Sequence, residues 1–182
     1  MPSTAAYISR DAALTSHRTS AAVRTYNGGI GVDEDASPLG TVLEAAKAQG
    51  FTTGMVVTSR ITHASPAAFA SHTYDRDLED RIAEQLIGGT PLGHTVDLLL
   101  GGGSCWFQPN TTTGSCREDG EDVFADAAAN GYKVFQDRAG FDALGGGHNV
   151  TLPILGLFTP SHMSYEVDRN ATKEPSLAGA SA

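Results

Sequence analysis

Apolar positions along the chain fall into short runs separated by stretches of helical spacing. Residues 51–58, Phe51-Thr52-Thr53-Gly54-Met55-Val56-Val57-Thr58, read as a buried, β-branched strand. Val96-Asp97-Leu98-Leu99-Leu100 repeats the pattern and is cut off by Gly101-Gly102-Gly103, read as a strand-end turn because no Gly-Lys-Ser/Thr follows. Residues 132–135 give a short strand and 152–158 a last one, with Pro153 near its start, where a missing amide is tolerated. Helical patterns lie between these runs. Residues 40–50 place Val42, Ala45 and Ala46 on one apolar face, with Gly50 as the stop. Residues 77–87 put Leu78, Ile82 and Leu86 inward and Glu79, Asp80, Arg81 and Glu84 in water. Residues 121–129 form a helix ending at Asn130-Gly131, and residues 141–144 add one more turn. Strands alternating with helices predict an α/β fold: a doubly wound, mostly parallel sheet with helices on both faces.

The organisation is simple. Residues 1–24 carry little pattern, 25–169 hold the α/β domain, and 170–182 form a polar tail. There is no internal repeat, low-complexity tract or linker, so the chain is one domain or part of one.

Composition narrows the function classes. With 40% apolar and 18% charged residues the chain is ordinary globular protein. A net charge of −9 disfavours nucleic acid and anionic membrane surfaces, which require a basic footprint, yet leaves room for a locally basic site. No apolar run approaches the roughly 18 residues of a spanning helix, and the amino-terminal residues show no basic region followed by an apolar one. Cys105 and Cys116 each follow Gly-Ser, with a short turn-rich span between them. That arrangement suits a local disulfide closing a surface loop, with two free thiols as the alternative. Asn-x-Thr sequons at Asn110, Asn149 and Asn170 sit in loop-like sequence; with the cysteines they favour a secreted or vacuolar glycoprotein.

The chemistry concentrates in residues 57–76, Val-Thr-Ser-Arg-Ile-Thr-His-Ala-Ser-Pro-Ala-Ala-Phe-Ala-Ser-His-Thr-Tyr-Asp-Arg. An apolar strand ends in hydroxyls and charge; a turn follows, and Pro66 opens an alanine-rich helix that Ser65 caps. His63 and Ser65 then stand at the carboxyl end of a strand, where open α/β sheets place their ligands. The helix continues far enough for Arg76 to return over the same opening. The alternatives for Arg76 are ion pairs with Asp75 or Asp80. His72, His94, His148 and His162 show no ligand spacing and read as surface or capping residues, and Trp106 as packed beside the cysteine loop.

This stretch resembles the signature of alkaline phosphatases, [Thr/Ser]-Arg-[apolar]-Thr-His-Ala-[Ser/Thr]-Pro-Ala, and the similarity runs from about residue 24 to 169. It takes in Thr25-Tyr26-Asn27-Gly28-Gly29, Gly40-Thr41-Val42-Leu43-Glu44-Ala45-Ala46, the glycine run, and Leu155-Gly156-Leu157-Phe158-Thr159-Pro160-Ser161-His162-Met163-Ser164-Tyr165-Glu166, whose wording is similar to the fungal branch. The resemblance implies phosphate monoester hydrolysis through a serine, with two zinc ions and one magnesium, and a usually homodimeric enzyme. It assigns Ser65 to magnesium, His63 to that metal's surroundings, and Arg76 to the phosphate. The family's nucleophile position falls on Ala12 within Asp11-Ala12-Ala13, so the serine is missing, and the zinc-ligand segments of the family pattern are largely absent. The expectation is an internal fragment of an alkaline phosphatase; the alternative is an inactive fragment or pseudoenzyme that at most binds phosphate weakly.

Overall fold

Four parallel strands carry the architecture of the computed structural model, which describes residues 20–176. They are β1 (Gly54–Arg60), β2 (Leu98–Gly102), β3 (Lys133–Phe135) and β4 (Ile154–Leu157). Their order is β1-β2-β4-β3, with each neighbouring pair parallel. Parallel pairing demands crossovers, and helices fill them. Helix α1 (Val42–Ala48) precedes β1; α2 (Ala64–Ala67) and α3 (Glu79–Leu86) link β1 to β2. A 3₁₀ turn (Ser104–Phe107) and α4 (Val123–Ala129) follow β2, and α5 (Arg138–Asp142) joins β3 to β4.

Successive strand residues point to opposite faces, so each face gathers its own core. Met55, Leu99, Leu155 and Leu157 meet Leu43 of α1, Ala64 and Ala67 of α2, Ile82 and Leu86 of α3, and Val123 and Ala127 of α4. On the other face Val56, Leu98, Leu100, Ile154 and Phe135 meet Phe141 of α5, Leu144 and Phe158. The doubly wound sheet expected from the alternation of patterns is present. Burying each of the larger side chains contributes about 1.5–3 kcal/mol.

Several local expectations shift. β1 starts at Gly54, where pairing with Leu98 begins, and Phe51 is 65% exposed. β2 runs through Gly101 and Gly102 instead of stopping at Leu100. A Cβ on Gly102 would lie 2.1 Å from the Ser161 carbonyl oxygen, so glycine lets the chain after β4 cross close over the end of β2. Gly103 N–H then donates to the Thr159 and Ser161 carbonyls, both at 2.9 Å. In α1 the buried residues are Leu43 and Glu44, while Val42 is 56% exposed. A capping box between Thr41 and Glu44 sets that phase: Glu44 N–H donates to Thr41 Oγ1 and Thr41 N–H to Glu44 Oε2. α2 is only one turn long and starts after His63, so Ser65 lies inside it and is not its cap. The chain leaves the helix at Ala68 because residues 71–73 pair with the segment around Ile30, with Ile30 and Thr73 exchanging two 2.9 Å backbone bonds.

Cys105 and Cys116 are joined by a disulfide. Next to it the Arg117 side chain has no exposure and donates to Glu84, Asp119 and the carbonyls of Asp80 and Trp106. This pins the closed loop onto α3. Glu79, expected in water, is buried at the start of the same helix.

Candidate functional site

The site is built where β1 ends. Ile61 N–H donates to the Gly102 carbonyl at 2.9 Å, holding the turn after β1 to the glycine end of β2. Arg60, the last residue of β1, grips Glu79 through Nε to Oε2 at 2.8 Å and Nη2 to Oε1 at 2.6 Å. The Thr62 hydroxyl donates to the same carboxylate. Glu79 therefore neutralises Arg60 and holds its guanidinium firmly charged, raising its pKa. That requirement explains the burial of Glu79.

Arg60 also faces His162, which the chain after β4 brings to this edge. Its backbone N lies 3.1 Å from His162 Nδ1 and its Nη1 2.9 Å from Nε2. Two donors aimed at one imidazole disfavour its protonation, and burial together with the Arg60 charge lowers its pKa. The His162 ring stands edge-on to His63, with centroids 5.4 Å apart. His63 Nε2 lies 3.2 Å from Arg76 Nη2. A guanidinium can only donate, so Nε2 accepts and the His63 proton resides on Nδ1. Burial, then Arg76 and Arg60, push its pKa down.

Arg76 and Arg60 differ in one respect. Arg60 has a carboxylate; among the described residues no acidic side chain is bonded to Arg76. Asp75, one of the two alternative partners, instead accepts the backbone N–H of Asp77. Ser65 sits half-buried in α2, two residues after His63. The structure thus brings His63 and Arg76 into contact, with Ser65 in the adjoining turn; Ala12 lies outside the described residues.

Sequence reasoning missed three members of this cluster. Arg60 and Glu79 were read as a strand end and a solvated helix position, although a charge ending a buried strand signals a required counter-charge. His162 is exposed, in keeping with its reading as a surface or capping histidine, and what that reading lacked is its engagement with Arg60. Its place just after β4, the strand beside β2, puts it on the carboxyl edge shared by all parallel strands. His72 and His94 are likewise engaged, with Glu44 and Asp97 respectively; His148 is exposed. Beside His162 opens a cleft of about 940 Å³ with Thr58, Ser59, Met163, Ser164 and Tyr165 on its walls.

A metal shell is not complete here. Among the described residues no group of three or more His, Cys, Asp or Glu side chains is gathered to hold a metal ion. Ser65 offers one oxygen, His63 spends its one lone pair on Arg76 and so stands only as a neighbour, and the nearby Glu79 carboxylate is already occupied by Arg60 and Thr62. Magnesium requires about six oxygen ligands and zinc about four ligands, so most would come from outside this set.

Fold and cluster together define an α/β protein that offers, at the carboxyl edge of a parallel sheet, a guanidinium with no bonded carboxylate among the described residues, an anion-binding arrangement. The profile described as alkaline phosphatase matches residues 4–181. The chain is 45% identical to the alkaline phosphatase of Schizosaccharomyces pombe over 169 residues, covering 92% of this chain and 31% of that relative. It is 46% identical to the repressible alkaline phosphatase of Saccharomyces cerevisiae, with the same coverage. Among solved structures it is similar to the Thermus thermophilus alkaline phosphatase (TM-score 0.72, 32% identity, 94% of this chain and 33% of that one). Another is a His-to-Glu mutant of the enzyme from the Antarctic bacterium TAB5 with magnesium bound (TM-score 0.69, 28% identity, 85% of this chain and 40% of that one). The chain belongs to the alkaline phosphatase family. It spans about a third of the length of the curated relatives it matches.

Proposed function

We propose that this chain serves the hydrolysis of phosphate monoesters, and that Arg76 is the residue that holds the phosphoryl oxygens. The observation carrying this reading is the Arg76 guanidinium, without a bonded carboxylate among the described residues and resting against a neutral imidazole. Two parallel N–H donors of a guanidinium match two oxygens of a phosphoryl group, and the fixed charge offsets the negative charge present throughout transfer. His63, accepting from Nη2 through its unprotonated Nε2, orients the fork without adding a competing charge. Arg60 does not share the role, because Glu79 occupies its two best donors.

Ser65 and His63 serve as one magnesium ligand and one neighbour of that ion in this reading, with zinc held by residues outside the described set. Bound metals would supply Lewis-acid activation of a nucleophile. The substrate is the phosphate monoester alone, and a pair of copies is the expected assembly. The disulfide and the three exposed sequons at Asn110, Asn149 and Asn170 support a glycosylated protein of a secreted or vacuolar compartment. Among the described residues no helix is long and apolar enough to cross a membrane.

A second reading, weak phosphate binding without turnover, is favoured by Ala12, whose methyl group cannot attack phosphorus. Hydrolysis of an aryl phosphate by the purified chain separates the two. Turnover that is lost on Arg76→Ala supports hydrolysis carried by this chain. No turnover above background, with Ala12→Ser equally inert, supports the binding-only reading. Turnover indifferent to Arg76→Ala overturns the assignment of Arg76.

A further inference from the structure

The chain that delivers Arg76 is tied down by a partly buried histidine outside the site. His72 sits in the stretch between α2 and α3, with its side chain 11% exposed. Its Nδ1 lies 2.8 Å from the Gly31 carbonyl oxygen, and its Nε2 2.7 Å from Glu44 Oε1. A carbonyl oxygen can only accept. The Glu44 carboxylate, 5% exposed, already accepts the Thr41 N–H through its other oxygen. Both ring nitrogens of His72 therefore face acceptors, and a neutral ring would turn a lone pair toward one of them.

The same short stretch is docked on the amino-terminal segment. Ile30 and Thr73 exchange two backbone bonds of 2.9 Å, Tyr26 Oη donates to the Tyr74 carbonyl at 2.7 Å, and Thr73 Oγ1 donates to the Asp75 carbonyl at 3.0 Å. Gly31, at φ +58°, brings its backbone so close that a Cβ there would lie 2.1 Å from the Ser71 carbonyl oxygen. From α3, Gln85 holds the His72 backbone on both sides, accepting from its N–H at 2.6 Å and donating to its carbonyl at 3.1 Å. Arg76 follows directly.

We propose that His72 carries a proton on both ring nitrogens in the folded protein and acts as a positioning residue, a latch that fixes residues 72–75 and thereby places Arg76 against His63. The role given to Arg76 rests on the phosphate reading above; the latch itself does not.

The groups facing the ring are few. α1 contributes Glu44, the segment before it the neutral Gly31 carbonyl, and α3 the neutral Gln85, which meets only the backbone. Burial disfavours the imidazolium, but the bond and charge of Glu44 and the Gly31 carbonyl outweigh it and raise the His72 pKa above its ordinary 6.5. Glu44 moves the opposite way: burial pushes it up, while His72 and the Thr41 amide bring it below 4.5. The folded His72 value exceeds the unfolded one. The latch is therefore fully engaged below about pH 6.5 and is lost as pH rises through the folded midpoint. Across that window its closed-to-open ratio falls about tenfold per pH unit. His63 and His162 behave in the reverse sense, since both titrate below 6.5.

Long-range ¹H–¹⁵N spectra of the full chain between pH 5 and 9, together with amide-exchange protection factors, test this. The expected result is a doubly protonated His72 at pH 6.5 with a midpoint above 6.5. Ile30 and Thr73 should lose protection through the same midpoint, and the His63 ring signals should show an inflection there. Glu44→Gln should move the midpoint down without altering the His63 tautomer at pH 6. A single neutral tautomer of His72 at pH 6.5, or protection of Thr73 that ignores the midpoint, overturns the latch. An inflection absent from His63 overturns its link to Arg76. These readouts use no phosphate, so failure of phosphate to bind would count against the phosphatase reading and leave the latch standing.

Discussion

Replacing Glu79 by glutamine swaps one oxygen for an amide while keeping the volume, and it should expose how the site is braced. Three donors, Arg60 Nε, Arg60 Nη2 and the Thr62 hydroxyl, converge on two carboxylate oxygens. After the change one of those oxygens becomes an NH₂ group, which meets a donor head-on. Breaking a fully buried ion pair costs about 3–5 kcal/mol, and a charge-assisted bond is worth about 1.5–3 kcal/mol. The Arg60 side chain is 23% exposed, so water recovers part of the loss. The expected cost is about 2–3 kcal/mol, read from urea unfolding at pH 7 with an unchanged slope. Arg60→Met and Glu79→Gln should be non-additive by about 1–2 kcal/mol, because they remove the same contact. There is also a local signature. Glu79 counteracts the depression of both His63 and His162 by the neighbouring arginines, so its loss should lower both histidine pKa values further. A cost under about 0.5 kcal/mol, additive energies, or unmoved histidines would refute the bracing role.

Two further predictions concern the scaffold. Reducing the Cys105–Cys116 bridge, 11 residues apart, should cost about 3 kcal/mol, and non-reducing peptide mapping should yield one linked pair; two alkylatable thiols in native protein would contradict it. Asp97 is pushed up by burial but brought down to about 2 by Lys47, the Thr53 amide and His94. Its folded value lies below its unfolded 3.8, so its contribution is complete above pH 3.8 and lost as pH falls through 2. Asp97→Asn should cost about 2 kcal/mol at pH 6 and flatten stability between pH 4 and 2; an unchanged acid limb would argue against it.

What was legible in the sequence follows from which interactions are local. The strands of residues 98–102 and 154–157 are apolar runs because both faces of the sheet are covered, so their identity needs no knowledge of partners. The motif from Arg60 to Arg76 could likewise be placed at a strand's carboxyl end from the order of its residues. The inward turn of Glu44 and Glu79 could not. Each is a carboxylate on a helix, and only a histidine 28 residues away or an arginine 19 residues back explains its burial. His162 was hidden for the same reason: it reaches Arg60 across 102 residues, through the crossing that Gly102 permits. The short α2 was misjudged because alanines and Pro66 favour a longer helix, whereas pairing of Thr73 with Ile30 pulls the chain away.

The central claim is that Arg76 is the phosphate-holding group of this site. Titrating the chain with inorganic phosphate at pH 7 while following backbone and arginine side-chain ¹H–¹⁵N signals addresses it directly. The account predicts a saturable shift centred on Arg76, His63 and the α2 turn bearing Ser65. Arg76→Ala should weaken that binding by about ten- to a hundredfold, in line with one charge-assisted contact of about 1.5–3 kcal/mol, while the remaining spectrum stays unchanged. Equal phosphate affinity in the Arg76→Ala protein, or shifts centred on Arg60 with Arg76 silent, would contradict it.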